Sequence, residues 1–197
     1  MSTSYRTIRA SFDEDCVVVY QAYNASIASA AVEHQILSAS SLLKPGRMTW
    51  IKPSWCWMMY RSGYSYKDLN QERILAIRMK HEHFAELLSN ACLAESPHAR
   101  GESVVVQWDP ERGPRLEKLD YRTIQIGIPG SIRDKWIAEW IEDIEDVTER
   151  ARSMKRMLDD DAAIDAGRLI ERSLMPEERP CAVDDAIIQR LEMSTHD

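Results

Sequence analysis

WIEDIEDVTER, residues 140–150, decides how the second half of this chain folds. It holds five carboxylates, six with Glu139 just before it, and like charges that close together repel. Its apolar residues belong to a longer series: Ile132, Trp136, Trp140, Ile144, Val147, Ala151, Met154 and Leu158 recur at steps of four and three. That is the spacing of one helix face, and it predicts a single long amphipathic helix from Ile132 to Leu158. On such a helix Glu142, Glu145, Asp146 and Glu149 fall within about 100° of one another, away from the core.

Two readings of that acidic face stand side by side. Each like-charge pair would cost only about 0.2–0.5 kcal/mol, so a solvated face relieved by Arg150 and Arg152 is tenable. Alternatively, carboxylates fixed on adjacent turns present forked acceptors to a guanidinium. A metal ion would also accept such oxygens, and a carboxylate with a raised pKa could serve as a general base.

Working outward from this stretch, CVVVYQAYN (residues 16–24) reads as a buried strand, with Asn24 capping a helix through ASIASAAVEHQIL. SSLLKPGR is a loop. A short strand to Ile51, a turn at Pro53 and a helical turn from Trp57 to Tyr60 follow. ERILAIRM, SVVVQW and YRTIQIGI are further strands, with a helix predicted over His81–Leu93 and a turn at DPERGP. The expected fold is α+β (or irregular α/β): a single domain over residues 1–158 with a central mixed sheet and the long helix. Residues 159–197 form a helical or partly disordered tail packing on it.

The 197 residues suffice for one core, and 44% hydrophobic with 29% charged residues is ordinary globular composition. No apolar run is long enough to span a membrane, and the first residues lack the apolar segment of a secretory signal. The four scattered cysteines, Cys16, Cys56, Cys92 and Cys181, form no metal or disulfide pattern, so a reduced, cytoplasmic protein is expected. His81 and His83 lack a partner at metal-binding spacing. No cofactor is implied, and no phosphate-cradling glycine loop is present. Net charge is −7, but from Lys44 to Arg100 nine basic residues face five acidic ones, whereas from Ser131 onward ten face eighteen. One half could meet phosphate while the other repels it.

RMTWIKPSWCWMMYRSGY, residues 47–64, interleaves Arg47, Lys52 and Arg61 with Trp50, Trp55, Trp57, Tyr60 and Tyr64. Aromatic platforms among cations suit single-stranded nucleic acid, although the same pattern can build core with the cations reaching outward. Ser54 and Ser62 are candidate nucleophiles without a readable base. Tyr20, Gln21 and Tyr23 line the end of the first strand, and the N–H groups of a helix after Gly130 could meet an anion.

VVVYQAYN, RMTWIKPSWCWMMYRSG, ERILAIRM, VQWDPER and YRTIQIGIPG, in this order, resemble the family catalogued as domain of unknown function 4291, over roughly residues 14–150. A fungal branch that is similar comprises arginine-containing cyclodipeptide synthases, a secondary-metabolite activity. The resemblance implies an aminoacyltransferase that condenses arginyl-tRNA with a second aminoacyl-tRNA to give cyclo(Arg-Xaa). That branch carries a D-D-x-x-E motif, and Glu145-Asp146-Val147-Thr148-Glu149 matches it with Glu for the first Asp. E-D-x-x-D at Glu142–Asp146 overlaps it. The resemblance implies catalytic roles for Glu145, Asp146 and Glu149, with Arg47, Lys52, Ser54, Trp57, Tyr60 and Arg61 on the substrate. The order of elements is also similar to ADP-ribosyltransferase-like folds, where NAD lies across a split sheet. Gln125 would stand near the position of the glutamate that commonly aids catalysis there, a departure that implies an altered or inactive enzyme of that kind. A non-catalytic RNA-binding module is a third expectation.

Overall fold

Alternating β-branched residues drive the first half of the structure. The computed structural model describes residues 4–97, 99 and 103–194. After a two-residue strand β1 (Arg9–Ala10), the segment CVVVYQAY forms β2 (Cys16–Tyr23). Asn24 then caps α1 (Ala25–His34) by accepting from the Ile27 N–H, as its position before an apolar helix predicts. A long loop leads to β3 (Thr49–Ile51), and Ser54 caps α2 (Trp55–Ser62). Gly63 ends that helix with a φ of 56°, a left-handed position that favours glycine.

β4 (Arg73–Lys80) pairs antiparallel with β2 along its whole length. It is the middle strand of a three-stranded sheet and is covered on both faces. Leu75, Ile77 and Met79 enter one hydrophobic core, and the alternate residues Ile74 and Ala76 enter another. α3 (His81–Ser89) ends earlier than its apolar pattern suggests, because Ala91–Leu93 leaves the helix as β5. β5 runs parallel to β6 (Val104–Arg112), which pairs antiparallel with β7 (Lys118–Ile128), and β7 in turn pairs with β3. The DPERGP turn therefore begins later than expected. The strand continues through Asp109 to Arg112, with a register shift between Pro110 and Arg112 that accommodates the proline.

The predicted long helix is not formed. Ile132–Leu158 divides into α4 (Gly130–Lys135), a wide turn at Trp136–Trp140, strand β8 (Ile141–Asp146) and α5 (Thr148–Asp160). β8 joins the free edge of β4, and its register slips between Arg78 and Met79: Ile141 faces Met79, Asp143 faces Arg78, and Ile144 faces Ile77. Glu142 is the extra residue of a β-bulge. The bulge brings Ile141 and Ile144 to the same core although they are three residues apart, the spacing that imitates a helix. Val147, Ala151, Met154 and Leu158 meanwhile serve the second core.

Beyond α5 the chain returns to both cores. α6 (Ala166–Glu171) contributes Leu169, the short β9 (Arg179–Pro180) pairs with β1, and α7 (Asp185–Arg190) contributes Ile187. The result is a single-domain α+β fold with a three-stranded sheet ordered β2-β4-β8 and a four-stranded sheet ordered β3-β7-β6-β5. Among the described residues no helix is long and apolar enough to cross a membrane. Ile77 has no exposed surface at the centre of the first sheet. Ile77→Ala should lower stability by about 2–5 kcal/mol in urea unfolding, whereas a peripheral strand would tolerate the change.

Candidate functional site

The two sheets meet at a backbone bridge. Tyr20 N–H donates to the Lys52 carbonyl at 2.7 Å and Lys52 N–H donates back at 3.3 Å. Beside this seam opens a cleft of about 1030 Å³. Its walls come from the end of β2 (Gln21, Tyr23), from β3 (Thr49, Trp50), from α2 (Trp57, Tyr60, Arg61) and from β7 (Gln125).

Its local construction follows from the sequence. Gln21 is locked: its amide donates to Thr49 Oγ1 (2.7 Å) and the Trp50 carbonyl (2.8 Å), and its carbonyl accepts from Tyr23 (2.9 Å). Gly127 on β7 leaves room for Trp50, since a Cβ there would stand 3.0 Å from the indole. Lys52 is 1% exposed; its ammonium lies 3.1 Å from Asp109 Oδ2 and 4.2 Å from the centre of the Trp57 ring. Burial pulls its pKa down to about 8, although Asp109 and Glu111 oppose the shift.

Arg47, Arg61 and Lys67 also line the cleft, and among the described residues none of them has an ion-pair partner. Against these cations the lining offers one carboxylate, Asp68, which caps a short turn by accepting from Asn70 N–H and holds the Gln71 amide. The cleft is therefore a cationic, indole-walled space to whose lining Gln125 of β7 also contributes, suited to phosphate and a stacked ring.

Of the residues expected to meet substrate, Arg47, Lys52, Trp57, Tyr60 and Arg61 come together here. Ser54 does not. It has no exposed surface, its Oγ donates to Glu111 (2.7 Å) and accepts from Trp57 N–H (3.1 Å), and it serves as a helix cap. Ser62 is likewise buried and donates to the Met58 carbonyl. Lys67, Asp68, Asn70 and Gln71 were not singled out by sequence; they lie in a polar loop whose only signal is its place after the aromatic segment.

The expected catalytic carboxylates stand elsewhere, and not on one helix face. Glu145 and Asp146 end β8, and Glu149 lies in the first turn of α5. Glu145 faces Arg150 at 3.5 Å, and Glu149 meets Arg152 at 3.1 Å and Arg156 at 4.0 Å. Asp146 pairs with the Arg73 guanidinium and accepts from Thr148 N–H at 2.9 Å. Burial pushes the Asp146 carboxyl up, but the hydrogen bonds from Thr148 and Arg73 outweigh it and hold the group below its usual range. None of the three lines the cleft. Glu142 pairs with Lys80 at 3.7 Å. Among the described residues no group of three His, Cys, Asp or Glu is arranged to hold a metal; His81 bonds the Asp13 carbonyl and His83 stacks on Trp140.

Two further carboxylates escaped the sequence reading. Glu111 on β6 and Glu178 before β9 anchor the start of α2, the first through Ser54 and the second through Trp55 N–H at 2.6 Å.

The family model for Domain of unknown function (DUF4291) matches residues 7–181. The chain belongs to this family. The match extends past α5 to include Glu178, so family membership takes in the segment that anchors α2 as well as the cleft. No curated protein matches the chain.

Burial, with Glu111 next in effect, pushes the Glu178 carboxyl from an ordinary 4.5 up to about 8. A raised folded-state pKa means that the folded chain holds a proton which the unfolded chain releases. This group's contribution is complete below about pH 4.5 and is lost as pH rises through about 8. Thermal unfolding of wild type against Glu178→Gln across that window should show the wild type losing stability relative to the variant as pH increases.

Proposed function

We propose that this protein is a tRNA-dependent cyclodipeptide synthase that condenses arginyl-tRNA with a second aminoacyl-tRNA to give cyclo(Arg-Xaa). The observation that supports the reading is the lining of the large cleft, which Arg47, Arg61 and Lys67 share with the Trp57 and Tyr60 rings. Cations beside stacking platforms suit the phosphates and terminal base of a tRNA acceptor end, and each stacked base contributes about 1–3 kcal/mol.

The chemistry asks little beyond placement. The aminoacyl esters are already activated. The α-amine of one attacks the ester carbonyl of the other; a peptide bond forms, the ester C–O bond breaks, and a ribose hydroxyl leaves with the proton. A second, intramolecular attack closes the ring and frees the second tRNA. Holding both esters in one cleft raises their effective concentration, which is the main source of acceleration open to such a reaction. In this reading Glu145, Asp146 and Glu149 shape the corner between β8 and α5 and do not touch the reacting atoms.

A second reading, an ADP-ribosyltransferase-like enzyme, is favoured by one observation: the cleft straddles two separate sheets. Purified protein incubated with charged tRNA should yield cyclo(Arg-Xaa) by mass spectrometry. Trp57→Ala and Arg61→Ala should each lower kcat/KM about tenfold or more, the equivalent of one lost stacking or phosphate contact. Glu149→Gln should turn over like the wild type. Nicotinamide release from NAD without any cyclodipeptide would overturn the synthase reading in favour of the second. Binding of tRNA with neither product would leave a nucleic-acid-binding module.

A further inference from the structure

Helix α2 turns Trp57 and Tyr60 into the large cleft and Cys56 into a second cavity of about 370 Å³. That volume is in the range of small-molecule sites, roughly 300–1,000 Å³. The cavity has polar groups of both signs. Glu111, 4% exposed, gives Oε1 to Ser54 (2.7 Å) and to Arg112 N–H (2.8 Å). Glu178 gives Oε1 to the N–H of Trp55, a residue with no exposed surface. Among the described residues the Oε2 atom of each carboxylate has no hydrogen-bond partner, and both residues line the cavity.

Arg112 also lines the cavity; its Nε is closed off from solvent, and its guanidinium lies 3.8 Å from the centre of the Tyr60 ring and reaches the Leu116 carbonyl. Leu119, Ile170 and Met175 give the cavity an apolar wall. Two carboxylate oxygens without partners (the Glu178 carboxyl gives up its proton when a cation arrives), a guanidinium and a greasy wall in one small space are complementary to a molecule that is cationic at one atom, anionic or carbonyl-bearing at the next, and apolar beyond.

We infer that this second cavity binds an α-amino acid, its ammonium between Glu111 and Glu178, its carboxylate or ester carbonyl toward the Arg112 guanidinium, and its side chain against Ile170 and Met175. The stacked Tyr60–Arg112 pair then stands between the amino-acid pocket and the cleft, since Tyr60 lines one and Arg112 the other. The inference extends the proposed function by giving the amino-acid part of the substrate a place, but binding of a free amino acid is measurable with no tRNA present.

The test uses the full chain and each of the common L-amino acids in turn, at millimolar concentration, by thermal shift and then calorimetry. At least one should bind, and its decarboxylated amine and its N-acetyl derivative should each bind at least about tenfold more weakly. Glu111→Gln should weaken binding to a similar degree. Because that change also touches the α2 cap, Ile170→Trp, which fills the cavity from α6, provides a second variant that should abolish binding while melting as the free wild type does. Absence of binding by every amino acid, or binding unchanged in Ile170→Trp, overturns the site. Cyclodipeptide formation without such binding would remove the pocket and leave the synthase standing; binding without product would do the reverse.

Discussion

A buried lysine governs how the two halves of this molecule meet. Lys52 closes the gap between the sheets with its own backbone, bonded in both directions to Tyr20, and sends its ammonium across to Asp109 and the Thr123 carbonyl (3.5 Å). Removing an ammonium from water is unfavourable, and a buried pair at best roughly offsets that loss against an apolar substitute. What the arrangement supplies is position. β3 is held beside β2 by the bridge and beside β7 by its own ladder, the ammonium just after it reaches Asp109 of β6, and Trp57 lies against the same ammonium. The cleft opens beside this junction, which Gln21 extends by bonding from β2 across to Thr49 and Trp50 of β3.

Much of the framework was legible because local chemistry and global fold agree. β-branched runs became β2, β4, β6 and β7, Asn24 capped its helix, and the aromatic and cationic segment from Arg47 to Arg61 supplied cleft residues. β8 was illegible for a definable reason. A one-residue bulge at Glu142 converts a two-residue period into a three-residue one, and the following helix continues the series on a different core. Glu178 could not be found either. Its partners, Trp55 and Glu111, are brought to it only by the long return of the chain, and nothing in MPEERP signals a buried carboxyl.

The crowded carboxylates of residues 140–150 are tolerated because cations from three directions reach them. Arg73 comes from the neighbouring strand, Lys80 from that strand's far end, and Arg150 and Arg152 from the helix that follows. Exposed pairs of this kind contribute little individually, typically about 0–1 kcal/mol. Their effect here is distributive: four of the five acids, Glu142, Glu145, Asp146 and Glu149, are turned toward different bases, and Asp143 is exposed to water, so the strand carries a dense charge without concentrating it at one point.

β8 is the outer strand of its sheet, and its exposed backbone would ordinarily invite another strand to add. Gln35, held in a left-handed conformation just past α1, prevents this. Its side-chain amide donates to the Ile144 carbonyl at 3.0 Å and accepts from the Ile144 N–H at 2.8 Å, imitating one residue of a missing neighbour. With the middle of that margin already occupied and acidic side chains to either side, this edge is a poor template for a further strand.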